Sequence, residues 1–191
     1  MHFILASASP RRKELLTNAG FDFEARASYI EEVHRPGETP GEYVSRLAAG
    51  KALTVASQVA PRRLVLGADT EVVIDGQILG KPRDAADAAR MVRLLAGKTH
   101  RVITGVCLVS APDRIEASNV AVTSVTFCSL DEQEICDYVA SGEPNDKAGA
   151  YAIQGLASRF VTHIEGSYFN VMGLPIHLVY EMLKPFQRSF Q

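Results

Sequence analysis

The chain has 191 residues, 47% of them hydrophobic and 22% charged, with 20 Lys and Arg against 22 Asp and Glu for a net charge of -2. Such a composition suits one globular domain, or two tightly joined lobes, able to bury a real core. The near-neutral balance offers no field for a nucleic-acid polymer or an anionic membrane, and no apolar stretch approaches the length of a membrane span or a signal peptide.

In chain order, Phe3–Leu5 reads as a short buried strand, followed by small residues and a helix over Pro10–Ala19 that Gly20 ends. Ser9 is a preferred N-cap, and Pro10 suits the first helical position. Arg11, Arg12 and Lys13 then fall in the first turn. Unpaired N–H groups and the helix dipole disfavour cations there by a few tenths to ~1 kcal/mol each. An anion bound beside the Ser7 and Ser9 hydroxyls would turn that conflict into an asset. The alternative is that the three side chains simply curl into solvent.

Phe21–Ala27 reads as a strand, and Glu31 and Glu32 as part of a surface loop. Thr39 to Glu42 forms a capping box with Pro40 at the first helical position, predicting a helix over Pro40–Val59 before Pro61. Its apolar stripe runs through Val44, Leu47, Ala48 and Val55, with Lys51 at the centre. A lysine there either snorkels past the helix edge or points into a polar cavity. "RLVLGADTEVVIDGQILGKP" reads as strand, break, strand, an Asp75-Gly76 turn and a short return strand. With Ile74 facing Gln77, counting outward puts Thr70 opposite Lys81, and Asp69, at the break, beside that lysine. An Asx-turn is the structural alternative for Asp69.

Asp84 caps a helix over Ala85–Ala96 with Ala88, Met91, Val92 and Leu95 on one face. Strands are expected at His100–Val109 and Ile115–Phe127. Ser129 and Glu132 then read as a second capping box opening a helix to Ala140. After the Gly- and Ala-rich "DKAGAYAIQGLAS", strands are expected near Phe160–Ile164 and Ser167–Val171, and Pro175 opens a last helix to Phe186. Strands and helices mix without strict alternation. The prediction is an α/β (α+β mixed) fold with a twisted mixed β-sheet flanked by helices.

Three elements thus supply cations, the first turn, Lys51 and Lys81, and two supply acids, Glu31 or Glu32 and Asp69. That set suits a polyphosphate: cations cancel its charge, while carboxylates hold a hard divalent ion bridging phosphate oxygens and a water. P-loop and dinucleotide-binding glycine signatures and GxSxG are absent, and the five histidines have no ligand spacing. Cys107, Cys128 and Cys136 have neither metal-type spacing nor even pairing, so a reducing cytoplasm is the simplest setting.

The stretches "LASASPRRKELL", "EYVSRLAAGKA", "GADTEVV…LGKPRD", "EPNDKAGAYAIQG" and "GSYFNVMGLPI" resemble, in order and spacing, the Maf family of nucleoside triphosphate pyrophosphatases. The resemblance spans residues 1–186 as a single domain, leaving 187–191 as a tail expected to be disordered. It implies two lobes enclosing a nucleotide cleft. It also implies hydrolysis between the α- and β-phosphates to a nucleoside monophosphate and pyrophosphate, with a divalent metal cation, Mg²⁺ or Mn²⁺. Carried over by motif, Ser9, Arg12, Lys51 and Lys81 would hold phosphate. Asp69 would be general base or metal ligand, with Glu32 beside it at the metal. Arg12, Thr70 and Gln154 match the branch preferring dTTP and UTP, and a glutamine amide suits a base edge because it both donates and accepts. Ala152 departs from the glycine of many relatives. The alternatives are the sister branch that takes 7-methyl-GTP and a non-catalytic nucleotide-binding regulator of septum formation. A house-cleaning role linked to cell-division arrest and a homodimer are further implications.

Overall fold

The computed structural model describes residues 2–187. Its elements are β1 (His2–Ala6), α1 (Pro10–Asn18), β2 (Asp22–Arg26), α2 (Pro40–Ala56), β3 (Leu64–Ile74), β4 (Gln77–Leu79), α3 (Ala85–Leu95), β5 (Thr99–Ser110) and β6 (Arg114–Phe127). They continue through α4 (Glu132–Ala140), three 3-10 turns between Glu143 and Phe160, β7 (Val161–Glu165), α5 (Tyr168–Val171) and α6 (Ile176–Gln187). The strands form one mixed sheet in the order β2-β1-β3-β5-β6-β7, with β4 pairing with β3 off that path. β1 runs parallel to β2 and β3, whereas β4 and β7 are antiparallel to β3 and β6. The α/β class with a mixed sheet is the one the sequence predicts.

Local chemistry explains the helix starts. Ser9 Oγ accepts from Arg12 N at 3.4 Å, and Pro10 opens α1 without an N–H to satisfy. At α2, Thr39 Oγ1 accepts from Glu42 N at 3.3 Å while Glu42 Oε2 accepts from Thr39 N at 2.8 Å, the reciprocal box read from the sequence.

Three expectations are corrected. β3 runs unbroken from Leu64 to Ile74, so Asp69 lies inside a strand and not at a break. The box opening α4 is Asp131–Glu134, with N···O distances of 2.8 and 2.9 Å, and not Ser129–Glu132. The backbone just before Ser129 is tied elsewhere: Cys128 N donates to Phe160 O and Cys128 O accepts from Gly97 N, both at 2.8 Å. Finally, Ser167–Val171 is not a strand; Ser167 Oγ accepts from Asn170 N at 3.3 Å and caps the short α5. Of the expected tail, Gln187 ends α6, and residues 188–191 lie outside the described residues.

Packing separates two units: the chain up to Thr70 with Thr104–Ala121 and the segment from Gly173 on, and Glu71–Ile103 with Val122–Met172. The first has an aliphatic core that includes Ile4, Ala48, Ala52, Val55, Val65 and Cys107. The second is aromatic at its centre: the ring centroid of Phe127 lies 4.9 Å from that of Tyr151 and 5.1 Å from that of His100, and the Tyr138 and Phe160 centroids are 5.3 Å apart. Such ring pairs prefer edge contacts of this kind and add to the burial gain of their area.

Candidate active site

The first unit's site begins with two glycines. A Cβ on Gly67 would stand 2.1 Å from the Ala48 carbonyl oxygen, and one on Gly105 would stand 2.4 Å from that of Val44. Only hydrogen fits there, so the backbone of α2 lies directly against β3 and β5. Side chains alternate along a strand, so Val65, Gly67 and Asp69 share the face turned to α2. Lys51 lies one helical turn beyond Ala48 and reaches the same face.

The lysine is 9% exposed and Asp69 5%. Lys51 Nζ donates to Asp69 Oδ1 at 2.6 Å and lies 2.6 Å from Glu32 Oε1. Of the two sequence readings for Lys51, the polar site is the one found. The loop bringing Glu32 is fastened to α2 by Tyr43, whose hydroxyl donates to Glu32 O at 3.1 Å. Glu32 keeps its carboxylate half exposed. Asp69 Oδ2, by contrast, is buried and has no hydrogen-bond partner among the described residues. A buried acceptor left so costs about 1–3 kcal/mol, and more when charged. An incoming cation would remove that cost.

Two carboxylates, one buried and one open, fit a hard divalent ion that completes its shell with phosphate oxygens and water. Among the described residues no cluster of three or more His, Cys, Asp or Glu could hold a metal. The donor set therefore suits an ion shared with a phosphate ligand better than one caged by the protein alone.

Thr70 faces the other side of β3 and meets Arg12. Arg12 is 9% exposed; its Nε donates to Gly173 O at 2.8 Å, Nη1 to Ala68 O at 2.8 Å, and Nη2 to Thr70 Oγ1 at 3.1 Å. Ser7 Oγ lies 3.5 Å from Nη1. The Thr70 hydroxyl is in turn 3.2 Å from Gly173 O and 2.9 Å from Thr104 Oγ1. This resolves the first-turn conflict for one cation: Arg12 turns away from the helix end to carbonyl oxygens of β3 and Gly173.

The first unit thus gathers Ser9, Arg12 and Thr70 in one network, and Glu32, Lys51 and Asp69 in another. Lys81 and Gln154 belong to the second unit and are both exposed there. Ile74 pairs with Gln77 as expected, but the ladder ends at Val72↔Leu79, short of the register that would have put Thr70 opposite Lys81. Sequence reading named Ser7 only beside Ser9 at an anion site, and missed Gly173 as an acceptor for Arg12 and Thr104 as a partner of Thr70. It also passed over Glu71, a buried acid in the second unit whose only sequence signal is a charge inside an apolar strand.

The model of the Maf-like protein family matches residues 2–186. The chain belongs to the Maf family. This Maf protein is 53% identical over 184 residues to a dTTP/UTP pyrophosphatase of Koribacter versatilis, covering 96% of this chain and 94% of that one. It is 54% identical over 183 residues to a dTTP/UTP pyrophosphatase of Salmonella typhimurium, covering 95% and 91%. A Vibrio cholerae protein of the same name is 50% identical over 183 residues, covering 96% and 97%. Among solved structures, the Ham1 protein of Staphylococcus aureus superposes with a TM-score of 0.54 over 97% of this chain and 99% of its own, at 12% identity. That likeness supports the fold alone. Among the described residues of this Maf protein, no helix is long and apolar enough to cross a membrane.

Proposed function

We propose that this Maf protein is a nucleoside triphosphate pyrophosphatase that hydrolyses dTTP and UTP to the nucleoside monophosphate and pyrophosphate. One observation carries the reading. Asp69 is a buried carboxylate with one oxygen on Lys51 and the other without a hydrogen-bond partner among the described residues. It sits in a chain 50–54% identical to proteins named dTTP/UTP pyrophosphatase.

In this mechanism Asp69 and Glu32 are the residues that would hold Mg²⁺ or Mn²⁺. When bound, the ion neutralises phosphate oxygens and makes a water easier to deprotonate. Lys51 keeps the two acids close before substrate arrives and offers its ammonium to a phosphate oxygen afterwards. Asp69 orients the water that attacks the α-phosphorus and accepts its proton, and the pyrophosphate departs with its charge balanced by cations. Positioning and charge stabilisation do most of the work in such a transfer. Ser9 and Lys81 take phosphate contacts; Arg12, expected from the sequence to do the same, is instead turned to the carbonyls of Gly173 and Ala68 and to Thr70, and joins Thr70 and Gln154 in choosing the base. The cytoplasm is the setting that the free thiols of Cys107, Cys128 and Cys136 suit.

The test is pyrophosphate release by the purified protein from a nucleotide panel with Mg²⁺, with and without chelator. Fastest turnover of dTTP and UTP, lost on chelation, is the expected result. A preference for 7-methyl-GTP overturns the substrate assignment, and absence of turnover overturns the enzyme.

A further inference from the structure

We propose that Glu143 is a positioning residue for base selection: its carboxylate holds the turn that carries Gln154 and so fixes where the glutamine amide stands. The proposal rests on the reading of Gln154 as the group that meets the base edge.

Glu143 opens the first 3-10 turn, Glu143–Asp146, and its carboxylate points at the backbone just after Gln154. Oε2 accepts from Leu156 N at 2.7 Å, and Oε1 accepts from Ala157 N at 3.3 Å and from Tyr138 Oη at 3.0 Å. Both oxygens are thus engaged by donors around the Gln154 turn. Charge-assisted bonds of this two-pronged kind are stronger and more directional than neutral ones.

Tyr138 is fully buried, and burial first, then the neighbouring Glu143 charge, pushes its phenol up, so it remains a proton donor to the carboxylate. Gly155 makes the contact possible. A Cβ there would stand 2.1 Å from Glu143 Oε2, so the carboxylate occupies the space a side chain would need. The turn itself closes with Gly155 N donating to Ala152 O at 3.0 Å. Gln154, at its tip, is exposed, so its placement follows from its backbone. Glutamine at position 143 would set an NH₂ against one of the two backbone N–H donors and release that side of the turn.

The experiment compares kcat/KM for dTTP and dCTP, which differ at the pyrimidine edge and by the thymine methyl that every variant leaves in common, in the natural protein, Glu143→Gln, Gln154→Ala and the double variant. The expected result is an about tenfold fall in the dTTP:dCTP ratio for Glu143→Gln, the size of one lost hydrogen bond, carried by KM for dTTP. In the Gln154→Ala background the same substitution should change the ratio no further. Tyr138→Phe, which removes one donor and keeps the buried ring, should shift the ratio in the same direction by a smaller factor, and decides the matter if Glu143→Gln does not fold. An equal loss for both nucleotides in Glu143→Gln overturns the proposal alone, as does a fall that persists in the Gln154→Ala background. An unchanged ratio in Gln154→Ala itself overturns the reading of Gln154 and the proposal with it.

Discussion

Lys51 Nζ lies 2.6 Å from Asp69 Oδ1 across 18 positions of sequence, and the same nitrogen is 2.6 Å from Glu32 Oε1. The pair is buried, so neither charge is well solvated without the other. Removing one member of such a pair strands the other. Lys51→Met should therefore cost about 3 kcal/mol or more in urea unfolding. Lys51→Met combined with Asp69→Asn should recover most of that loss, which a double-mutant cycle would read directly.

Asp69→Asn keeps the volume and removes the charge. It should lower stability, because Lys51 keeps only Glu32 to balance its charge, yet leave the native fold and most dTTP affinity in place while pyrophosphate release falls by about a thousandfold. Steady-state assays with calorimetric dTTP binding would check both halves. Turnover close to that of the natural protein would remove Asp69 from the chemistry.

Chelation offers a complementary outcome. An ion held as proposed by Asp69 and Glu32 alone would hold no fold together, so excess chelator should abolish turnover without changing the circular dichroism spectrum. Mg²⁺ or Mn²⁺ should restore activity. A chelator-induced fall in melting temperature would indicate a structural metal instead.

The second unit carries an acid sensitivity of its own. His100 is 1% exposed, its Nε2 lies 2.8 Å from Tyr151 Oη, and burial lowers its pKa from 6.5 to about 4. Above pH 6.5 the ring is neutral folded or unfolded, and no penalty arises. As pH falls from 6.5 towards 4 the unfolded chain binds a proton that the native state refuses. Stability drops through that window, by roughly 3 kcal/mol in all, and levels below it. Urea unfolding at a series of pH values should show this slope and show it flattened in His100→Gln.

Gly67→Ala tests the approach of α2 to β3. The new methyl would stand 2.1 Å from Ala48 O and 2.9 Å from Ala52 Cβ, so backbone must move. Overpacking of this kind costs about 1–3 kcal/mol or more. Because the displaced helix carries Lys51, activity should fall further than stability alone explains. Thermal unfolding and turnover measured on one preparation would show both.

Much of this was legible in the residues. The Thr39–Glu42 box and the apolar stripe around Lys51 placed a cation on a buried helix face, and the Asp75-Gly76 turn set the Ile74–Gln77 pairing. What was not legible has physical reasons. Gly67 in "LVLGADT" looks like a break because glycine usually interrupts a strand; here it admits a neighbouring helix backbone. Tyr168, Phe169 and Val171 favour a strand by type, yet the Ser167 cap decides for a helical turn. Two acceptors of Arg12, the carbonyls of Ala68 and Gly173, leave no side-chain signature at all. Asp131 and Ser129 each stand three residues before a glutamate, and only the backbone ties of Cys128 choose between them.

β3 hands two consecutive residues to two different neighbourhoods. Asp69 answers to Lys51 on one side, and Thr70 answers to Arg12 on the other. Although joined by a single peptide bond, the two positions can be altered separately in the course of descent: a new side chain at 70 renegotiates with the arginine while the acid keeps its partner undisturbed.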